Sequence, residues 1–172
     1  MKRILFLTVT ALFISCTAVL AQRVGYVSTE KIFEAIPEYK VATEKLDALA
    51  KQYQEQVKSE LNKVETLYNN YQKQKANMSQ SARQAKENEI IEKERKVKEL
   101  QQSYFGQDGT MQKKSQEFLD PIKERVQKAI DQVAVKGGYS LVIDLSSMQG
   151  VVYAKEGDDL SSSVIRLLPT IK

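Results

Sequence analysis

A chain of 172 residues with 28% charged side chains and a mean hydropathy of −0.42 is long enough for one domain, but spreads its apolar residues too thinly for one central core. It has no histidine and one cysteine, Cys16, which removes the usual imidazole base and the main zinc ligands. The formal charge of +4 falls to +2 without Lys2 and Arg3, so the basic pI gives little support for a nucleic-acid partner.

The first 21 residues read as a cleaved export signal. Lys2 and Arg3 make the basic start, Ile4 to Ile14 the apolar stretch, and Val19-Leu20-Ala21 a small-residue cleavage site before Gln22. Ser15, Cys16 and Thr17 interrupt the stretch short of the roughly 20 apolar residues that a membrane span needs. Acylation of Cys16 as a lipoprotein is the weaker reading, because Phe13 stands where such cleavage boxes usually carry Leu. Removal of Cys16 would leave an exported chain with no thiol.

The run Val24-Gly25-Tyr26-Val27 predicts a strand, and Ser28-Thr29-Glu30 a helix start. Pro37 suits the first turn of a new helix. Beyond it Tyr39, Ala42, Leu46, Leu49, Tyr53, Val57, Leu61, Val64, Tyr68 and Tyr71 step by three or four, one apolar seam whose spacing fits a nearly straight helix better than a strict heptad. A helix over residues 38–76 would span roughly 60 Å. The seam fades after Gln72, and Asn77-Met78-Ser79-Gln80-Ser81 predicts the turn, with Ser79 or Ser81 capping the returning helix.

Ile90 or Ile91, Val97, Leu100, Tyr104, Met111, Phe118, Ile122, Val126, Ile130 and Val133 carry a sparser seam back. Gly106 and Gly109 cost about 1 kcal/mol each in a helix interior, and predict a break or a loosened bend rather than a phosphate loop. Asp120-Pro121 predicts a cap and first turn, hence a separate helix over 121–136, ended by Gly137-Gly138. Residues 141–143 and 151–153 read as two strands of a hairpin-like pair, and Asp158 or Asp159 as the cap of a closing helix.

The resulting fold is α+β: a long antiparallel helical hairpin, a coiled-coil-like arm, projecting from a small β-sheet body with a C-terminal helix. Residues 1–21 form the signal peptide, 22–36 and 121–172 a β-rich oligomerisation body, and 37–120 the arm. About three short strands under one helix leave sheet edges open, which symmetric pairing of several copies would cover.

Catalytic chemistry is hard to place on this chain. Ser140, Ser146 and Ser147 lie near strands but in no Ser-x-x-Lys pattern. Asp144, Asp158 and Asp159 read as caps and turns, and no dinucleotide fingerprint, P-loop or EF-hand spacing occurs. A non-enzyme without cofactor or metal is expected. At the tip, Lys73, Lys75, Arg83 and Lys86 have no acidic residue among them. They form either a solvated surface or a patch attracting anionic lipid, lipopolysaccharide or acidic clients. The tip has no aromatic set for base stacking, which counts against specific nucleic-acid binding.

Together these pieces resemble the OmpH/Skp family of periplasmic chaperones. The resemblance rests on the export signal, the opening Arg23-Val24-Gly25-Tyr26-Val27-Ser28-Thr29-Glu30-Lys31-Ile32-Phe33 and the charged hairpin. It rests also on Gly138-Tyr139-Ser140-Leu141-Val142-Ile143-Asp144 followed by Val151-Val152-Tyr153-Ala154. It implies a homotrimer in the periplasm whose sheets join into a body bearing three arms. It implies ATP-independent capture of unfolded outer-membrane β-barrel proteins between those arms. By position the trimer interface would use Val24, Tyr26, Leu141, Ile143, Val151 and Tyr153. Tyr68, Tyr71 and Met78 are the client-contact candidates. Gly106 and Gly109 depart from the continuous helix the family pattern implies. The competing reading is a coiled-coil envelope scaffold that binds one folded partner.

Overall fold

The computed structural model describes residues 23–171. The export signal expected at 1–21, with Cys16 inside it, lies outside the described residues. Strand β1 (Arg23–Val27) leads into a short helix α1 (Thr29–Glu34), then into α2 (Pro37–Gln74). A 3₁₀ turn at Lys75–Asn77 reverses the chain into α3 (Gln80–Phe105), and α4 (Thr110–Gly137) continues the return. Strand β2 (Tyr139–Asp144) follows, and helix α5 (Ser161–Leu167) closes the body.

Local chemistry sets most of these boundaries. Ser28 caps α1 by accepting from the Lys31 amide, and Pro37 opens α2. Ser79 caps α3 through the Ala82 amide, settling the choice between Ser79 and Ser81. Gly138 ends α4 in the left-handed region at φ +66, where a side chain would be strained. Asp159 accepts from the amide and hydroxyl of Ser161 at the start of α5.

The glycine pair breaks the return path outright. The α3 helix stops at Phe105 and α4 starts at Thr110, with the Gly109 amide donating to the Gly106 carbonyl across the joint. A Cβ on Gly106 would lie 2.5 Å from the Gln102 carbonyl oxygen, so a side chain there would force the backbone to move. Opposite the joint α2 runs unbroken for 38 residues, about 57 Å at 1.5 Å per residue. Its outer half packs on α3 and its inner half on α4.

Two expectations fail. Pro121 starts no helix: it lies inside α4, on an exposed position. Its ring and missing N–H disturb the turn before it, but on the water-facing side the freed carbonyl can tilt into solvent, so the helix continues. Residues 151–153 form no strand and no hairpin. Among the described residues the sheet has two strands, β1 and β2, paired in parallel with Val24 opposite Leu141 and Tyr26 opposite Ile143.

The reason for the missing strand lies at the end of β2. Burial alone would raise the Asp144 carboxyl. The hydroxyl and amide of Thr29 and the amide of Ser146 donate to it, outweigh that cost, and hold it below the ordinary carboxylate value. That anchored carboxylate, together with the Ser147 hydroxyl donating to the Asp144 carbonyl, turns the chain off the sheet. The segment beyond it then runs extended without a partner strand.

Among the described residues there are two cores. The body core gathers Val27, Ile32, Ile36, Ala42, Ile122, Val126, Ala129, Leu160, Val164 and Leu168. The arm core holds Val57, Val64 and Tyr71 against Ile90 and Val97.

Candidate functional site

Alternation along the strands gives the sheet a covered face and an open one. Gly25 and Val27 turn toward the helices and are buried. Val24 and Tyr26 on β1 share the other face with Leu141 and Ile143 on β2, in register. Val24 and Leu141 are half exposed. The structure thus brings four of the six expected interface residues onto one apolar patch. Val151 and Tyr153 stand apart on the extended segment, where Tyr153 is 82% and its neighbour Val152 99% exposed.

Apolar side chains so bare, beside a two-stranded sheet whose β1 edge is covered only by a single bridge from Tyr26 to Asp159, mark a surface that needs covering. The Tyr26 phenol on the open face stays neutral. Desolvation first, then the carboxylates of Asp159, Glu156 and Asp158, push its pKa above the ordinary value. Sequence reasoning missed Val152, Met148 and Val135, all exposed. Val135 lies two residues beyond the Val126, Ile130, Val133 seam, and that offset was the available signal.

In the outer arm the buried residues recur every seven positions: Val57, Val64 and Tyr71 on α2, Ile90 and Val97 on α3. This corrects the straight 3.6-residue seam. With only one facing helix, the buried stripe is narrow and follows the heptad, so Leu61 and Tyr68 fall outside it and are exposed. Tyr53 stacks on Tyr104 with ring centroids 4.2 Å apart, and the Tyr104 hydroxyl donates to Gln56 at 2.7 Å.

The three client-contact candidates part company. Tyr68 is 48% exposed and points to solvent. Tyr71 is 4% exposed: it belongs to the arm core, and its hydroxyl donates to Glu87. Met78 is half-buried against the same core. The Tyr71 hydrogen bond outweighs the cost of desolvation and, with the Lys75 charge, holds the Glu87 carboxyl below its ordinary value.

The basic tip is less bare than its sequence window suggested. Lys75 lies 3.6 Å from Glu87, and Lys86 pairs with Glu89 at 2.7 Å. The Arg83 Nε donates to the Met78 carbonyl at 3.1 Å. Glu87 and Glu89 stand just past the window, and the helix folds them back onto it. Among the described residues, only Lys73 of the four has neither a carboxylate within 4.0 Å nor a hydrogen bond holding its charged group.

Among the described residues no cluster of acidic or sulfur ligands is arranged for a metal ion, and no helix is long and apolar enough to cross a membrane. A family model described as outer membrane protein (OmpH-like) matches residues 23–168. The chaperone protein Skp of Photorhabdus luminescens is 31% identical over 163 residues, covering 91% of both chains. Skp of Yersinia enterocolitica is 27% identical over 149 residues, covering 87% of both. The crystal structure of an OmpH-like protein from Caulobacter crescentus matches with a TM-score of 0.64 at 15% identity, covering 87% of this chain and 85% of the other.

Proposed function

The chain belongs to the OmpH-like outer membrane protein family, and from that premise we propose that it is an ATP-independent periplasmic holdase for unfolded outer-membrane β-barrel proteins. Copies join through the open sheet face, Val24, Tyr26, Leu141 and Ile143, with Val151 and Tyr153 of the extended segment completing the contact. Three copies form a body from which three arms hang, and the client sits between the arms.

The observation that best supports this reading is the arm. It is long, thin-cored and studded with separate apolar side chains rather than one dense patch. Such a surface holds a client through many weak contacts, which prevents aggregation and lets the client go without nucleotide. Export to the periplasm follows from the basic and apolar start of the chain. The engaged lysines and arginine at the tip favour tip cohesion over lipid or lipopolysaccharide contact, leaving Lys73 as the free charge for an anionic surface.

The test is light scattering as a urea-unfolded outer-membrane β-barrel is diluted into rising amounts of the protein. Suppression without nucleotide that saturates near three protomers per client is expected. No suppression at large excess would reject the holdase and favour a scaffold that binds one folded partner.

A further inference from the structure

The outer arm has two unlike flanks. Leu61 and Tyr68 each stand four positions after a buried residue, Val57 and Val64. Ile91 and Phe105 each stand one position after a residue that packs in the arm core, Ile90 and Tyr104. On an α-helix a step of four turns about 40° past the core row, and a step of one about 100° in the same sense. Two antiparallel helices turning in the same sense from a shared core present those positions on the same flank. All four exposed large apolar residues of the outer arm therefore lie on one side.

They also line up along it. Tyr71 faces Glu87 and Tyr53 faces Tyr104, so Tyr68 and Ile91 sit at about the same height, with Leu61 and then Phe105 nearer the body. The row covers roughly 23 Å of the arm at 1.5 Å per residue. The opposite flank is a groove of 420 Å³ whose rim carries Lys63, Lys93, Lys96, Glu60 and Glu89. Among the described residues no exposed large apolar side chain stands there.

We propose that the flank marked by Leu61, Tyr68, Ile91 and Phe105 is the one on which extended apolar stretches of an unfolded β-barrel protein rest, while the lysine-rimmed flank stays in water. This rests on the holdase reading and adds which side of the arm takes the client. Four separated, partly exposed side chains offer well under the about 800 Å² that each partner gives to a stable complex. A folded partner or a second copy would bury too little there, whereas a flexible chain can touch several such points at once. Charge agrees: Lys58, Glu65, Glu94 and Lys98 share this flank with balanced sign, so it selects neither anions nor cations.

The experiment uses the full chain with a photo-crosslinking p-benzoylphenylalanine replacing Tyr68 or Ile91 in one set, and Lys63 or Lys96 in the other. Each is mixed with a urea-unfolded outer-membrane β-barrel and irradiated. About tenfold more client adduct from the apolar flank is expected, the ratio given by a preference of 1.4 kcal/mol. A triple variant, Leu61→Ser, Tyr68→Ser and Ile91→Ser, should lose most aggregation suppression, while Lys63→Ser with Lys96→Ser keeps it. Equal adducts from both flanks, or suppression that survives the triple variant, would overturn the assignment while the holdase stands. If the unsubstituted protein suppresses nothing, the holdase reading itself fails and takes this assignment with it.

Discussion

The body and the outer arm are built from the same kinds of apolar residue, yet they bury them differently. In the body, Ile32, Ala129 and Val164 have 0% exposure, because β1, α1, α4 and α5 close around them from several directions. In the arm every core residue keeps a sliver of surface, since each helix has one neighbour and water on every other side. Layer count makes the difference: a third layer seals a core, and a hairpin never has one. The body can therefore be the rigid part and the arm the yielding part without any change in composition.

The largest expected effect comes from breaking the sealed core. Ile32→Ala should cost about 2–5 kcal/mol and lower the urea midpoint of the whole chain. Next is Ile90→Ala, at the low end, about 2 kcal/mol, because the arm site can admit water into the space it leaves. Its loss should be local. Amide exchange should rise over α3 and the outer half of α2 while β1 and α5 keep their protection. Equal loss of protection in the body would show that the two regions are one cooperative unit, and would break the contrast.

The smallest effect is at the tip. Glu87 titrates below its ordinary 4.5 in the folded arm, first through the Tyr71 hydrogen bond. A depressed folded pKa means this stabilisation is complete above 4.5 and fades as pH falls through the lowered value. Amide protection factors around Ser79, the intrinsic exchange rate at each pH divided by the observed one, should fall on that acid side. Tyr71→Phe should make the tip looser at neutral pH and remove most of the further acid response. An unchanged acid response in Tyr71→Phe would assign the loosening to other carboxylates.

What the sequence disclosed was the chemistry that acts over a few residues. Ser28, Pro37 and Gly138 each set an element end by their own backbone or side-chain preference and were readable alone, whereas the cap of α3 was readable only as Ser79 or Ser81. Even spacing in the arm was readable too, but not which spaced residues face the partner helix. Tyr68 and Tyr71 look equivalent in the string, yet Tyr71 lies in the packing stripe and Tyr68 outside it. Pro121 misled because a proline's effect depends on whether its turn faces water, which depends on tertiary packing. Residues 151–153 have strand composition, but a strand also needs a free edge within reach, and the turn at Asp144 leads away from it. The tip looked more basic than it is because Glu87 and Glu89 stand one and three residues past Lys86, within the same helical turn.

The Gly106–Gly109 joint also bears on how such an arm changes length. In an uninterrupted return helix, adding or removing residues would rotate everything downstream and misalign Ile122 and Val126 with the body. Four non-helical residues between α3 and α4 uncouple those phases. Whole heptads traded in matched pairs, one in α2 and one in α3, would lengthen or shorten the outer hairpin and leave the body's register untouched. The joint makes reach an adjustable quantity, open to divergence among relatives or to deliberate grafting.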